Sequence, residues 1–154
     1  TPVKLTQGVD LIGAWNIKKG YLDMSINHTY ISQEEFESRK SRGLTQNGDI
    51  LFITEGGTMG NACLNALDGE CSCGQRVITM QAYEQGMVCN EYFMYVLLSP
   101  YFQLMIKEHA TGSAAMGIKA ATLKTFWVPV PPIKEQRRIV GRLHKAFAFC
   151  KELE

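Results

Sequence analysis

The 154-residue chain has few histidines, few cysteines, almost no net charge and no long apolar run, and each shortage removes a class of protein. Lysine and arginine total 16 against 15 acidic residues, a formal charge of +1. A uniformly basic coat for nucleic acid is therefore excluded, and any basic surface has to arise from local clustering. No apolar stretch is long enough to span a bilayer and no signal peptide precedes Thr1, which together predict a soluble cytoplasmic protein. The three histidines (His28, His109, His144) stand in unrelated contexts. Glu34 and Glu35 read as the charged start of a helix rather than as a catalytic pair, so no acid, base or nucleophile constellation assembles. Five cysteines (Cys63, Cys71, Cys73, Cys89, Cys150) make an odd count. Disulfides are not expected in a cytosolic chain able to bury its own core. Cys71 and Cys73 stand close together, but no second ligand pair follows, as structural zinc sites require. Free, partly buried thiols are expected, with no metal and no cofactor.

What is present suits one domain of mixed α/β class. Hydrophobic residues make up 45% of the chain and charged residues 20%, enough to bury a core without disorder. Residues 11 to 31 read as strand, turn at Lys19-Gly20, strand. Ser32 with Glu35 three residues on predicts a capping box opening a short helix that Gly43 ends. Residues 50 to 54 and 76 to 82 read as strands. Asn90 caps a helix whose apolar residues cover most of its circumference, and Pro100 starts a second helical segment. "KAATLKTF" predicts a short helical turn and "WVPVPPI" an edge strand or polyproline stretch. Trp15, Trp127 and the tyrosines are expected in the core.

"GDILFITEGGTMGN" (48 to 61) sets three glycines, Gly56, Gly57 and Gly60, at the mouth of a strand. Such a cluster marks a tight turn or the close approach of another group. A phosphate-binding P-loop requires Lys and Ser or Thr after its glycines, and Gly60 is followed by Asn61 and Ala62. The Rossmann spacing fails too, because no helix-opening apolar run follows. Two readings remain: close strand packing, or a loop whose backbone approaches DNA with Thr54, Glu55, Gly56 and Thr58 facing it. Glutamate accepts from cytosine N4 and threonine meets polar base edges or a thymine methyl.

Further candidates for DNA contact are Arg39, Lys40 and Arg42, a basic knot suited to phosphates or to a solvated helix end. Thr111, Gly112, Ser113 and Lys119 offer compact donors for phosphate, or a helix cap. Gln75 and Arg76 have the donor geometry for adenine and guanine, or are strand-end surface. Beyond Lys134, Ile139, Leu143, Ala146, Cys150 and Leu153 recur at spacings of 4, 3, 4 and 3, a heptad seam widened by Val140 and Phe147. The seam requires a partner, either another helix or this same domain.

"NIKKGYLD", "YISQEEFESRKSRGL", "GDILFITEGGTMGN", "SPYFQLMIKEHATGS" and "VPVPPIKEQRRIVGRL" follow one another in the order of a target-recognition domain. The chain resembles part of the specificity subunit of a type I restriction-modification enzyme. That resemblance implies a target-recognition domain over residues 1–130 and the start of a coiled-coil spacer or dimerisation helix over 131–154. It implies sequence-specific reading of one half of a bipartite double-stranded DNA site, with no catalysis by the chain itself. The implied partners are DNA, the methyltransferase (modification) and restriction subunits, and a second helix through Ile139, Val140, Leu143, Phe147, Cys150 and Leu153. The alternative is a non-catalytic scaffold that dimerises through the same helix. The missing initiator Met and the end at "CKELE" suggest an excised module.

Overall fold

A computed structural model describes residues 3–40, 44–82, 86–113 and 115–153. Its centre is strand β3 (Ile50–Ile53), buried along its whole length. Side chains alternate across a strand. Ile50 and Phe52 accordingly enter a cluster with Met94, Leu97, Phe102, Ile106 and Leu123. Leu51 and Ile53 enter another with Ile12, Ile17, Cys63, Cys71 and Val77. β3 pairs antiparallel with β4 (Ala62–Leu64) and with β6 (Val77–Met80), giving a sheet of order β4-β3-β6. A second sheet, β2-β1-β5, joins β1 (Val9–Ile12) antiparallel to β2 (Thr29–Ile31) and parallel to β5 (Cys71–Cys73).

Helix α1 (Gln33–Arg39) covers this second sheet, with Phe36 against Val9, Leu11 and Ile31. Ser32 caps it, its Oγ accepting from the Glu35 N–H at 3.1 Å. The expected reciprocal half of the box is not made, because the Glu35 carboxylate turns to Arg39 instead. The expected stop at Gly43 lies outside the described residues. Helices α2 (Asn90–Leu98) and α3 (Pro100–His109) form on either side of Ser99, whose Oγ accepts from the Phe102 N–H. Short α4 (Ala120–Leu123) follows, where a helical turn was expected.

Several expectations are corrected. Asn90 is the first helical residue rather than the cap, because its amide donates to the Gly48 carbonyl at 2.8 Å and ties α2 to the approach to β3. The hairpin near Lys19-Gly20 reduces to one bridge between Ile17 and Leu22. β4 and β5 were not anticipated, being three residues each and bounded by polar turns. Residues 126–132 belong to no strand, so of the two readings of this stretch the edge strand is not realised. Trp15 (49% exposed) and Trp127 (85% exposed) are at the surface rather than in the core, as are Tyr21 and Tyr101; Tyr92 is buried as expected. The Trp15 ring lies under the Lys4 ammonium, 5.4 Å away.

Helix α5 (Ile133–Glu152) divides the two readings of its seam between its halves. Val140 is buried, and Ile139 packs with it, against Tyr92, Tyr95 and Val96. Val140 is thus a contact within the domain rather than a surface for a second chain. Phe147 reaches the Tyr95 ring at 5.8 Å, and Leu143 is half-buried. Cys150 and Leu153 are exposed, with no partner among the described residues. Gln136, fully buried, anchors the docked half: its Oε1 accepts from the Cys89 N–H at 2.8 Å. Its Nε2 donates to the Met87 and Pro131 carbonyls at 2.9 and 2.7 Å. The Glu91–His144 pair adds a further link between α2 and α5.

Among the described residues, no helix is long and apolar enough to cross a membrane, and no group of three or more His, Cys, Asp or Glu side chains is placed to hold a metal. Burial pushes the Cys63 and Cys73 thiols up to about 12, and the Cys71 thiol in the same direction. Thiols so raised stay protonated near neutral pH and are poor nucleophiles and ligands.

Two expected outcomes follow from this packing. Gln136→Ala strands one N–H and two carbonyls at the root of α5, and should cost on the order of 3 kcal/mol in a denaturant titration with the slope unchanged. In native protein at pH 8, an alkylating reagent followed by mass mapping should label Cys150 first and leave Cys63, Cys71 and Cys73 unmodified until unfolding. Early labelling of Cys63 would contradict the burial described.

Candidate functional site

At the end of β3 the chain is gripped from two directions. The Thr54 N–H and Oγ both donate to the Arg76 carbonyl, at 2.9 and 3.2 Å. The Thr54 carbonyl accepts from the Ile118 N–H at 2.8 Å, and the Gly56 N–H donates to the Met116 carbonyl at 2.9 Å. Thr111 and Gly117 exchange both backbone bonds at 2.9 Å. The glycine loop, Thr111 with residues 116–118, and the start of β6 are therefore one backbone-bonded platform. Each piece satisfies donors that an isolated loop would leave to water.

The glycines divide by role. Gly60 has φ +88°, and a Cβ there would sit 2.6 Å from Oε1 of Gln103. Gln103 in turn donates from Nε2 to the Gly60 and Leu97 carbonyls at 2.9 and 2.7 Å. What approaches the loop on this side is the protein's own helix α3. Gly112, with φ +127°, would drive a Cβ to 2.2 Å from the Ala115 carbonyl oxygen, so its role in this geometry is to turn the chain. Gly57 faces open space, and with exposed Thr58 it forms the tip.

The charged candidates fall into three groups. Arg39 is only 12% exposed: its Nε donates to Glu35 at 2.8 Å and its Nη1 to the Cys73 carbonyl at 3.2 Å. Lys40 pairs with Glu37 and lies over the Phe36 ring. Two of the three cations of the basic knot, Arg39 and Lys40, are thus occupied within the protein, and Arg42 lies outside the described residues. Arg76, at the platform, pairs through Nε with the Glu55 carboxylate at 3.0 Å, both side chains about half exposed. Lys119 is exposed at the start of α4, and among the described residues no carboxylate pairs with it. Thr111, Ser113 and Gln75 are exposed as well.

Beside the platform an open cleft of about 820 Å³ runs along β6, with Arg39, Gln75 and Lys124 among its polar lining and Ile78, Phe102 and Phe126 among its apolar lining. The structure thus bonds Thr54, Glu55, Gly56, Arg76, Thr111 and residues 116–118 together. It sets Arg39 beyond them, on the Cys73 side of the β5–β6 turn. Gln103 and Gln136, which hold the loop and the helix, escaped sequence reasoning. A glutamine on an amphipathic helix carries no signal separating it from solvated surface.

Residues 12–154 match the family described as the type I restriction modification DNA specificity domain. The chain is 25% identical over 150 residues to the type I restriction enzyme EcoBI specificity subunit of Escherichia coli, covering 97% of this chain and 31% of that protein. It is 31% identical over 118 residues to a putative type I restriction enzyme specificity subunit of Haemophilus influenzae, covering 75% of this chain and 29% of that one. A chain from a solved structure concerning complex assembly and conformational transition of the type I R-M system superposes with a TM-score of 0.65 at 19% identity, over 96% of this chain and 33% of that chain. The chain thus spans about a third of the length of these relatives.

Gly60→Ala should cost about 1–2 kcal/mol from its left-handed backbone, with the Gln103 contact added. Gly57→Ala, which meets no atom, should leave thermal stability within about 0.5 kcal/mol. Equal losses in calorimetry would refute this division of the glycines.

Proposed function

The chain belongs to the type I restriction-modification DNA specificity domain family, and from that membership we propose that it reads one half of a bipartite double-stranded DNA site for such an enzyme. In this reading residues 1–130 are the recognition domain and 131–154 begin the spacer helix. The chain acts in the cytoplasm, does no chemistry itself, and docks the modification and restriction subunits that do.

The observation that best supports the reading is the platform beyond β3. Three segments distant in sequence are bonded into one surface, and at its exposed positions stand Thr58, Arg76, Thr111, Ser113 and Lys119. Apart from the exposed Glu55 carboxylate, which pairs with Arg76, these are short hydroxyls and cations, the groups that contact phosphates and base edges. A recognition surface has to be held rigidly, because base discrimination depends on donor placement. Arg39 and Lys40 enter this reading as bracing for α1 first, since their charges are met by Glu35 and Glu37. The exposed Cys150 and Leu153 favour continuation of the seam onto another helix, including a second copy of this chain.

Binding to a DNA duplex measured against salt concentration tests the proposal. Phosphate contacts impose a steep negative salt slope, whereas a scaffold that only dimerises shows none. Lys119→Ala should weaken binding to all duplexes alike and reduce the slope by about one. A salt-independent signal, or none, would favour the scaffold.

A further inference from the structure

We propose that Arg76 is a guanine-reading residue and that Glu55 is the positioning residue that holds it. The inference rests on the reading of this chain as a DNA-recognition module and names the base edge its platform takes.

An arginine reads guanine with two parallel N–H donors to O6 and N7. To do so from a protein surface it needs a fixed backbone, a fixed guanidinium plane and an unoccupied pair of donors. Arg76 meets all three conditions. Its carbonyl accepts two bonds from Thr54, and the next residue, Val77, is buried at the head of β6. Its guanidinium is oriented by the Nε bond to Glu55, whose own backbone is bridged to Gly117. Among the described residues neither terminal nitrogen has a hydrogen-bond partner, and the guanidinium lies beside Gly56, with Nη1 3.6 Å from the position a Cβ would take.

The other described arginines fail one condition each. Arg39 spends both Nε and Nη1 on the protein. Arg138 gives both Nε and Nη2 to Glu135. Arg137 and Arg142 lie on α5, off the platform.

Charge selects a base edge over a phosphate as the ligand. The Glu55 carboxylate 3.0 Å from Arg76 leaves the pair close to neutral. A phosphate placed on that fork would also feel the carboxylate, whereas guanine O6 and N7 are uncharged acceptors. The pair therefore keeps directional donors while giving up much of the general attraction to the backbone.

The test is methylation-motif mapping in cells carrying the complete restriction-modification system, with the specificity subunit wild-type, Arg76→Lys, Arg76→Gln or Glu55→Gln. Salt-dependent DNA binding of each purified assembly is measured alongside. The half-site read by this domain should contain a G·C pair at which Arg76→Lys and Arg76→Gln both reduce discrimination by roughly 5- to 150-fold, other positions being unchanged. Glu55→Gln should relax that same position to a smaller degree. Lysine is the informative variant, since it keeps the charge and loses the fork. If Arg76→Lys retains the motif while Arg76→Gln weakens binding to all sequences with a shallower salt slope, Arg76 is a phosphate contact and the inference is overturned. If Glu55→Gln alters a different base pair, Glu55 reads a base itself and the positioning role is overturned. A wild-type assembly that modifies no specific motif would instead remove the family-based reading on which the inference stands.

Discussion

The two-sided burial of β3 is the constraint from which the remaining architecture follows. Ile50 and Phe52 require an apolar layer on one face, and Leu51 and Ile53 another on the opposite face. α2, α3 and α4 supply the first layer, and β1 and β5 contribute to the second. Full burial of an isoleucine, leucine or phenylalanine side chain is worth about 1.5–3 kcal/mol, so four consecutive residues committed this way bind the layers to one strand. The strand's exit is fixed along with it. Thr54 emerges where Arg76 and Ile118 accept and donate backbone bonds, so the loop beyond inherits the rigidity of the core. Loops positioned by a rigid scaffold are where proteins place recognition.

A second anchor, independent of the first, is the amide of Gln136. Its three bonds join the root of α5 to Met87, Cys89 and Pro131. A buried amide must be satisfied in direction as well as distance, which apolar packing alone does not demand. Val140 and Ile139 then extend the contact along α2. The direction in which α5 leaves the domain is thereby set by oriented bonds near its start.

The legible part of the fold was the part with strong local pattern. The four-residue apolar run at β3, the Ser32 cap, Pro100 at the first turn of α3 and the heptad spacing of α5 each follow from side-chain periodicity or capping chemistry. What escaped depends on distant segments. β5 exists because Cys71–Cys73 pairs in parallel with Asp10–Ile12, some sixty residues earlier, and three residues carry no readable alternation. The two tryptophans look like core by type, yet their neighbours leave them exposed. The site was legible as composition (glycines, threonines, arginines) but not as pairing. The Glu35–Arg39 pair is an i,i+4 contact that helix spacing offers, but nothing local announces that Arg39 also bonds the Cys73 carbonyl or that Glu55 and Arg76 share one bond.

Those pairings bear on how a nearly neutral chain would meet DNA on the proposed reading. Arg39, Lys40, Arg76 and Arg138 each have a carboxylate partner. Such pairs, three of them well exposed, contribute little to stability. Their effect on recognition is larger, because each lowers the local potential that would draw phosphate without regard to sequence. Non-specific affinity for DNA comes almost wholly from that potential, while discrimination comes from donor and acceptor placement in the grooves. A domain that offsets its cations while holding their donors rigidly gives up affinity common to all sequences and retains the affinity that differs between them. Where one sequence has to be found among many, the ratio of specific to non-specific binding matters more than binding strength alone. On the proposed reading, the near-equality of cations and anions is the electrostatic condition under which a few well-placed side chains could dominate the choice of site.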